Sequence, residues 1–190
     1  MAIHDLLLDP TRMRLAPVRP SSAPFFSFAL LTLACALASF AFACATPFAA
    51  FAVVAAETLP LSSALLVVLA VWIVNQGIGF GALHYPHDAN TILWGLAIGA
   101  ATLAATLIAA AVLRLVSRTS AAIAFGLALF AAYAVYKLIL FGATPFLGGE
   151  GAFTAAIVAR IGAQNVLWLI GLVAASEIVR LLNRRCQTAS

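Results

Sequence analysis

The chain has 190 residues, 65% of them hydrophobic and 8% charged, with a formal net charge of +4 and a mean hydropathy of +1.12. Soluble domains carry roughly 25% charged residues, so this composition excludes a water-soluble fold and calls for lipid as the solvent. The basic excess sits beside apolar runs, where it orients membrane helices, and it gives no reason to invoke a nucleic-acid partner.

Residues 1–23 form a polar tail with Arg12, Arg14 and Arg19. Basic residues ahead of an apolar run resemble an export signal, but signal h-regions are only about 7 to 15 residues long. The run from Phe25 to Ala55 is far longer, which predicts a retained first span with a kink at Pro47. Cys35 and Cys44 fall in or beside this run and Cys186 near the far end. No CxxC spacing points to metal or redox chemistry, and Cys35 and Cys44 are read as small packing groups.

Four further apolar segments follow, at Leu61–Leu83, Thr91–Val116, Ala121–Phe141 and Ala152–Leu182. Each is long enough to cross a bilayer, which takes about 20 apolar residues, and helices satisfy their own backbone there. The links Glu57–Pro60, His84–Asn90, Ser117–Ser120 and Ala143–Gly151 are short, so consecutive helices should be antiparallel neighbours. The expectation is an all-α integral membrane protein, a compact bundle of about five transmembrane helices. One transmembrane domain covers 24–183, and a short basic tail covers 184–190.

Arg114 and Arg118 flank one link, and Arg180, Arg184 and Arg185 close the last span. Five spans put both groups on one side. The positive-inside rule makes that side cytoplasmic, in a bacterial cytoplasmic membrane with the C-terminus inside. The same count sends Arg12, Arg14 and Arg19 to the opposite side, against the rule.

Alternation brings the His84–Asn90 and Ala143–Gly151 links to the face opposite the arginines. Polar residues of three spans lie near that face: Asn75 and Gln76 in the second, Lys137 in the fourth, and Arg160, Gln164 and Asn165 in the fifth. Burying an amide or a charge in hydrocarbon is costly without a partner, so these groups are expected to meet. Trp72 and Trp168 each stand three residues from an asparagine and share its helix face. Together the eight residues are candidates for a ligand site, with His84, His87 and Asp88 at its rim. The alternative uses are helix-to-helix bonding for the amides, snorkelling for Lys137, and capping of the third span by Asp88 or Asn90.

His84 and His87 are three apart with Asp88 adjacent, but Pro86 works against a helical metal site, and no cofactor is assigned. Gly77, Gly79 and Gly81 suit close approach or a local break, and Gly95 with Gly99 suits a packing seam. No nucleophile elbow, HExxH motif or paired carboxylates appear, so an enzyme is the less favoured class. The leading expectation is a multi-pass carrier or ligand-binding subunit with a polar small-molecule or ion site in one half of the bilayer, the ligand polar or anionic. The alternatives are a structural or assembly subunit of a larger membrane complex, perhaps a redox one, and a haem- or quinone-binding protein using His84 or His87. Partner membrane subunits or a homo-oligomer suit a chain this small.

Overall fold

The computed structural model describes residues 22–42 and 46–188, with side chains described for 22–40 and 46–182. The tail bearing Arg12, Arg14 and Arg19 lies outside the described residues, as do Cys44 and the side chains of Arg184, Arg185 and Cys186. Six α-helices are present among the described residues: α1 (Ala23–Phe42), α2 (Phe48–Thr58), α3 (Leu61–Gly77), α4 (Ala89–Leu115), α5 (Ala121–Leu147) and α6 (Ala155–Thr188). A π turn, Ile78–Ala82, extends α3, and a 3-10 turn, Glu150–Phe153, precedes α6. Five segments are long and apolar enough to cross a membrane, with α3 and its π turn counted as one. The fold is therefore an all-α helical membrane bundle, as composition predicts.

The first apolar run differs from expectation. It is not one kinked span but two helices, α1 of 20 residues and α2 of 11. Pro47 stands at the N-cap of α2 and kinks nothing. A proline at a helix start gives up no intrahelical bond, because the first N–H groups have no partner there. At ~1.5 Å per residue, α2 is about 16 Å long, half a bilayer core.

α2 is the centre of the molecule. It touches all five other helices, and from Phe48 to Ala55 no residue is more than 2% exposed. Its sequence, FAAFAVVAAET, is apolar on all sides, the pattern of a helix with no outward face. Alanine and valine keep the rod thin, so neighbours pack closely against it.

This short helix also changes the topology. Cys35 Sγ contacts the Val71 carbonyl, and Asn75 Nδ2 donates to Ser39 Oγ at 3.0 Å. Residue numbers rise together on the two helices, so α1 and α3 are parallel. α2 runs back antiparallel to both, and its end meets the start of α1 where Ser27 and Thr58 share a hydrogen bond at 3.2 Å. The entry of α1 and the α2–α3 link therefore lie on one face. The register of α3 on α4, with Trp72 beside Gly99 and Gln76 beside Gly95, carries down to bring Arg114 just past the level of Leu61. α1 therefore starts on the same face as Arg114.

At the opposite, histidine face, α5 runs further than expected, through Pro145 to Leu147. Proline removes the N–H that would bond the carbonyl four residues back. Thr144 Oγ1 takes that carbonyl, donating to Phe141 O at 2.7 Å. The helix then stops at Gly148 and Gly149, both with positive φ (76° and 83°), a backbone that glycine adopts without strain. The seam expected at Gly95 and Gly99 is present. Trp72 lies across Gly99 and donates from Nε1 to the Gly95 carbonyl at 3.0 Å.

Candidate functional site

Among the described residues four amides lie inside the bundle, and three of them are hydrogen-bonded. Asn75 donates to both Ser39 and Thr46, at 3.0 and 3.1 Å, tying the end of α1 to the turn that starts α2. Gln76 donates to Asn75 Oδ1 at 3.2 Å. Asn165, 2% exposed, accepts from Ala50 N at 3.1 Å and donates to Ile161 O at 2.9 Å. Ala50 is in the first turn of α2, whose N–H groups have no intrahelical acceptor, so Asn165 caps that helix from across the bundle. Asn75, through Thr46, and Asn165, through Ala50, thus both hold the N-terminal end of α2.

Gln164 is the exception. Its Oε1 is buried and accepts nothing, and among the described residues its amide makes no hydrogen bond. On a helix, consecutive residues point about 100° apart. Asn165 therefore faces α2, while Gln164 faces the space between α6 and α1.

That space is a groove. α1 and α6 both pack on α2 but scarcely on each other, leaving a cavity of about 460 Å³. α1 contributes Leu30, Leu33, Ala34 and Leu37 to its walls. α6 contributes Gln164, Leu167, Trp168, Gly171, Leu172 and Ala175. From Gln164 to Ala175 the groove runs about 16 Å along α6 at ~1.5 Å per residue. It leads from mid-depth toward the basic face. Trp168 sets its ring edge-on to Phe51 of α2, at a centroid distance of 6.4 Å. Gln164 and Trp168 are the two polar-tipped side chains in an otherwise aliphatic lining.

The remaining candidates are elsewhere. Arg160 is exposed and makes no ion pair or hydrogen bond among the described residues. It stands one helical turn before Gln164 and on the same side of α6. Lys137 is half-buried between α5 and the 3-10 turn, with Nζ 5.3 Å from the Phe153 ring centre and 5.8 Å from that of Tyr133. These are cation–π distances. Trp72 belongs to the α3–α4 seam and does not reach Trp168. The eight residues thus fall into four places, the brace of α2, the α3–α4 seam, the face of α6 beside the groove and the Lys137 site, and do not line one chamber.

The rim residues form the turn between α3 and α4. His84 has a positive φ of 54°, and His87 stacks near Phe80 at 5.3 Å. The Tyr85 ring lies where a Cβ on Gly79 would sit, 2.8 Å from its carbons, so Gly79 permits that close approach. Of the two caps considered, Asp88 fills the role. It accepts from Thr91 N at 2.8 Å and from Thr91 Oγ1 at 3.2 Å. The backbone N–H of Thr91 holds its carboxyl below the ordinary carboxylate range. Among the described residues no three His, Cys, Asp or Glu side chains converge on a metal-sized site.

Sequence reading missed Ser39 and Thr46 as partners of Asn75, and the α1 wall of the groove. "ATPF" carried the first signal, since Thr-Pro ahead of an apolar stretch marks a helix start. Nothing in the α1 leucines separates a groove wall from ordinary lipid-facing surface. Compared with known protein families, with curated proteins and with solved structures, the chain finds no match in any of the three.

Proposed function

We propose that the protein is a ligand-binding membrane protein whose ligand is an amphiphile of the bilayer, taken up sideways into the groove between α1 and α6. The observation that carries this reading is the contrast among the amides. Asn75, Gln76 and Asn165 are engaged within the chain, whereas Gln164 lines a 460 Å³ groove and has no partner among the described residues. An amide in hydrocarbon without a hydrogen bond costs kilocalories, and ligand sites range over about 300 to 1,000 Å³. The length fits as well, for 16 Å is half of a ~30 Å hydrocarbon core.

The basic ends orient the molecule with the α4–α5 link and the C-terminus in the cytoplasm of a bacterial cell. The groove then opens mainly to the inner leaflet. Whether bound amphiphile is carried or sensed, the first step is occupancy of the groove, and one substitution tests it. Gly171 lines the groove and a Cβ there would meet nothing within 4 Å, so Gly171→Leu fills the groove without disturbing the backbone. In vesicles containing a mid-chain-brominated alkyl amphiphile, wild-type Trp168 fluorescence should be quenched well beyond the level in Gly171→Leu. Equal quenching in the two proteins sinks the reading.

The brace around α2 favours a second role for its own residues. Asn75, Gln76 and Asn165 act as helix-to-helix glue, which suits a structural subunit of a larger assembly. Stoichiometric membrane partners after purification in mild detergent would support that role, and an unaccompanied chain would count against it.

A further inference from the structure

The groove has a polar end and an apolar end, and a charged residue stands in line with it. Arg160 lies five residues inside α6, about 7 Å below the start of that helix at ~1.5 Å per residue. It is exposed and without an ion pair among the described residues. A cation within an apolar span is expensive unless it finds an anion or reaches the interface. One turn further along the same face is the unpaired amide of Gln164, and one turn beyond that the indole of Trp168. Gly171 and Ala175 continue the line, faced by leucines of α1.

We infer that the groove holds a single-chain amphiphile with an acidic head, a fatty-acid-like carboxylate whose head meets Arg160 and Gln164 while its alkyl chain lies along α6 toward the basic face. This rests on the groove-binding reading above and adds the ligand's class. Charge sets the head. Arg160 supplies a planar fork of donors matched to a carboxylate, and the Gln164 amide is free to turn its NH₂ toward the same oxygens. Shape sets the chain. The groove runs about 16 Å along α6 at ~1.5 Å per residue between aliphatic walls, which suits an alkyl chain laid along the helix.

The test uses full-length protein in phosphatidylcholine vesicles at pH 8. The probes are sixteen-carbon chains brominated at mid-chain and carrying a carboxylate, a hydroxyl or a trimethylammonium head. Brominated phosphatidylglycerol serves as a fourth probe. The readout is quenching of Trp168, taken as the difference from Trp168→Phe. The carboxylate should half-quench at a membrane fraction about tenfold below the alcohol, the ratio expected of one charge-assisted pair, with the ammonium weakest. Arg160→Gln should abolish that preference, and because Arg160 is exposed and makes no hydrogen bond or ion pair among the described residues the variant should fold. Gln164→Leu should weaken carboxylate binding by about threefold, the size of one neutral hydrogen bond.

Equal quenching by acid and alcohol, or a preference that survives Arg160→Gln, overturns the acidic head while groove binding stands. Phosphatidylglycerol quenching as strongly as the free acid overturns the single chain in favour of an anionic phospholipid. Quenching that no probe produces, or that Gly171→Leu leaves intact, removes the groove reading and this inference with it.

Discussion

Asn165 and Gln164 are neighbours in sequence with nearly identical chemistry, yet replacing each by leucine should have opposite consequences. Asn165→Leu removes the acceptor for Ala50 N, a bond of 3.1 Å in a position 2% exposed. The orphaned N–H then sits in a dry core at the first turn of α2. An unsatisfied buried donor costs about 1 to 3 kcal/mol, and loss of an N-cap about 0.5 to 2. Hydrogen bonds between membrane helices average about 0.6 and reach about 1.7 kcal/mol, so the expected loss is about 1 to 2 kcal/mol. For a chain of this size each kcal/mol moves a melting temperature by roughly 2 to 4 °C, a fall of about 2 to 8 °C. Gln164→Leu removes an amide with no partner among the described residues and should leave ligand-free stability unchanged or slightly raised. Thermal unfolding of delipidated protein in detergent, followed by intrinsic fluorescence, separates the two. Equal melting temperatures for Asn165→Leu and wild type, or equal losses in both variants, would refute the assignment of Asn165 as the cap and Gln164 as unengaged.

Further predictions rest on other contacts. At Gly99 a Cβ would lie 2.8 to 3.1 Å from the Trp72 ring, so Gly99→Ala should lower the melting temperature. At Gly95 the nearest atom is Gln76 Oε1, the end of a flexible side chain, so Gly95→Ala should cost less. Asp88→Ala should lower the melting temperature at pH 7 by uncapping α4. Because its carboxyl is held below the ordinary range, the cap's contribution is present above about pH 4 and fades as the pH falls through the folded value. The gap between wild type and Asp88→Ala should therefore close in acid, and a gap independent of pH would contradict the ionised cap. Single cysteines at residues 22 and 117 should react with a membrane-impermeant thiol reagent from one side of the membrane, and cysteines at 87 and 149 from the other. Labelling of 22 from the side that labels 87 would contradict α2 as a returning leg.

The spans from α3 to α6 are legible in sequence because hydropathy and length suffice for a helix that crosses lipid. The division of the first run is hidden from the same reading. Hydropathy reports that residues 25–55 belong in apolar surroundings, but not whether those surroundings are lipid or protein. Thr46 and Pro47 do carry the missing information, since Thr-Pro is a helix start as readily as a kink. The polar residues were legible as candidates, their grouping less so. Adjacent amides on a helix face different neighbours, so Asn165 reaches α2 while Gln164 reaches the groove. The groove itself depends on α1 and α6, distant in sequence, standing apart over a shared floor. Its leucines look no different from those facing bulk lipid.

A density map of the protein in lipid nanodiscs, at a resolution that shows alkyl chains, tests the central claim most directly. The account predicts one unbranched density lying along α6 from Gln164 toward Ala175, against Leu30, Leu33 and Leu37, with its head between Arg160 and Gln164. A groove closed by direct packing of α1 on α6, or filled by a helix from a second chain, would contradict it.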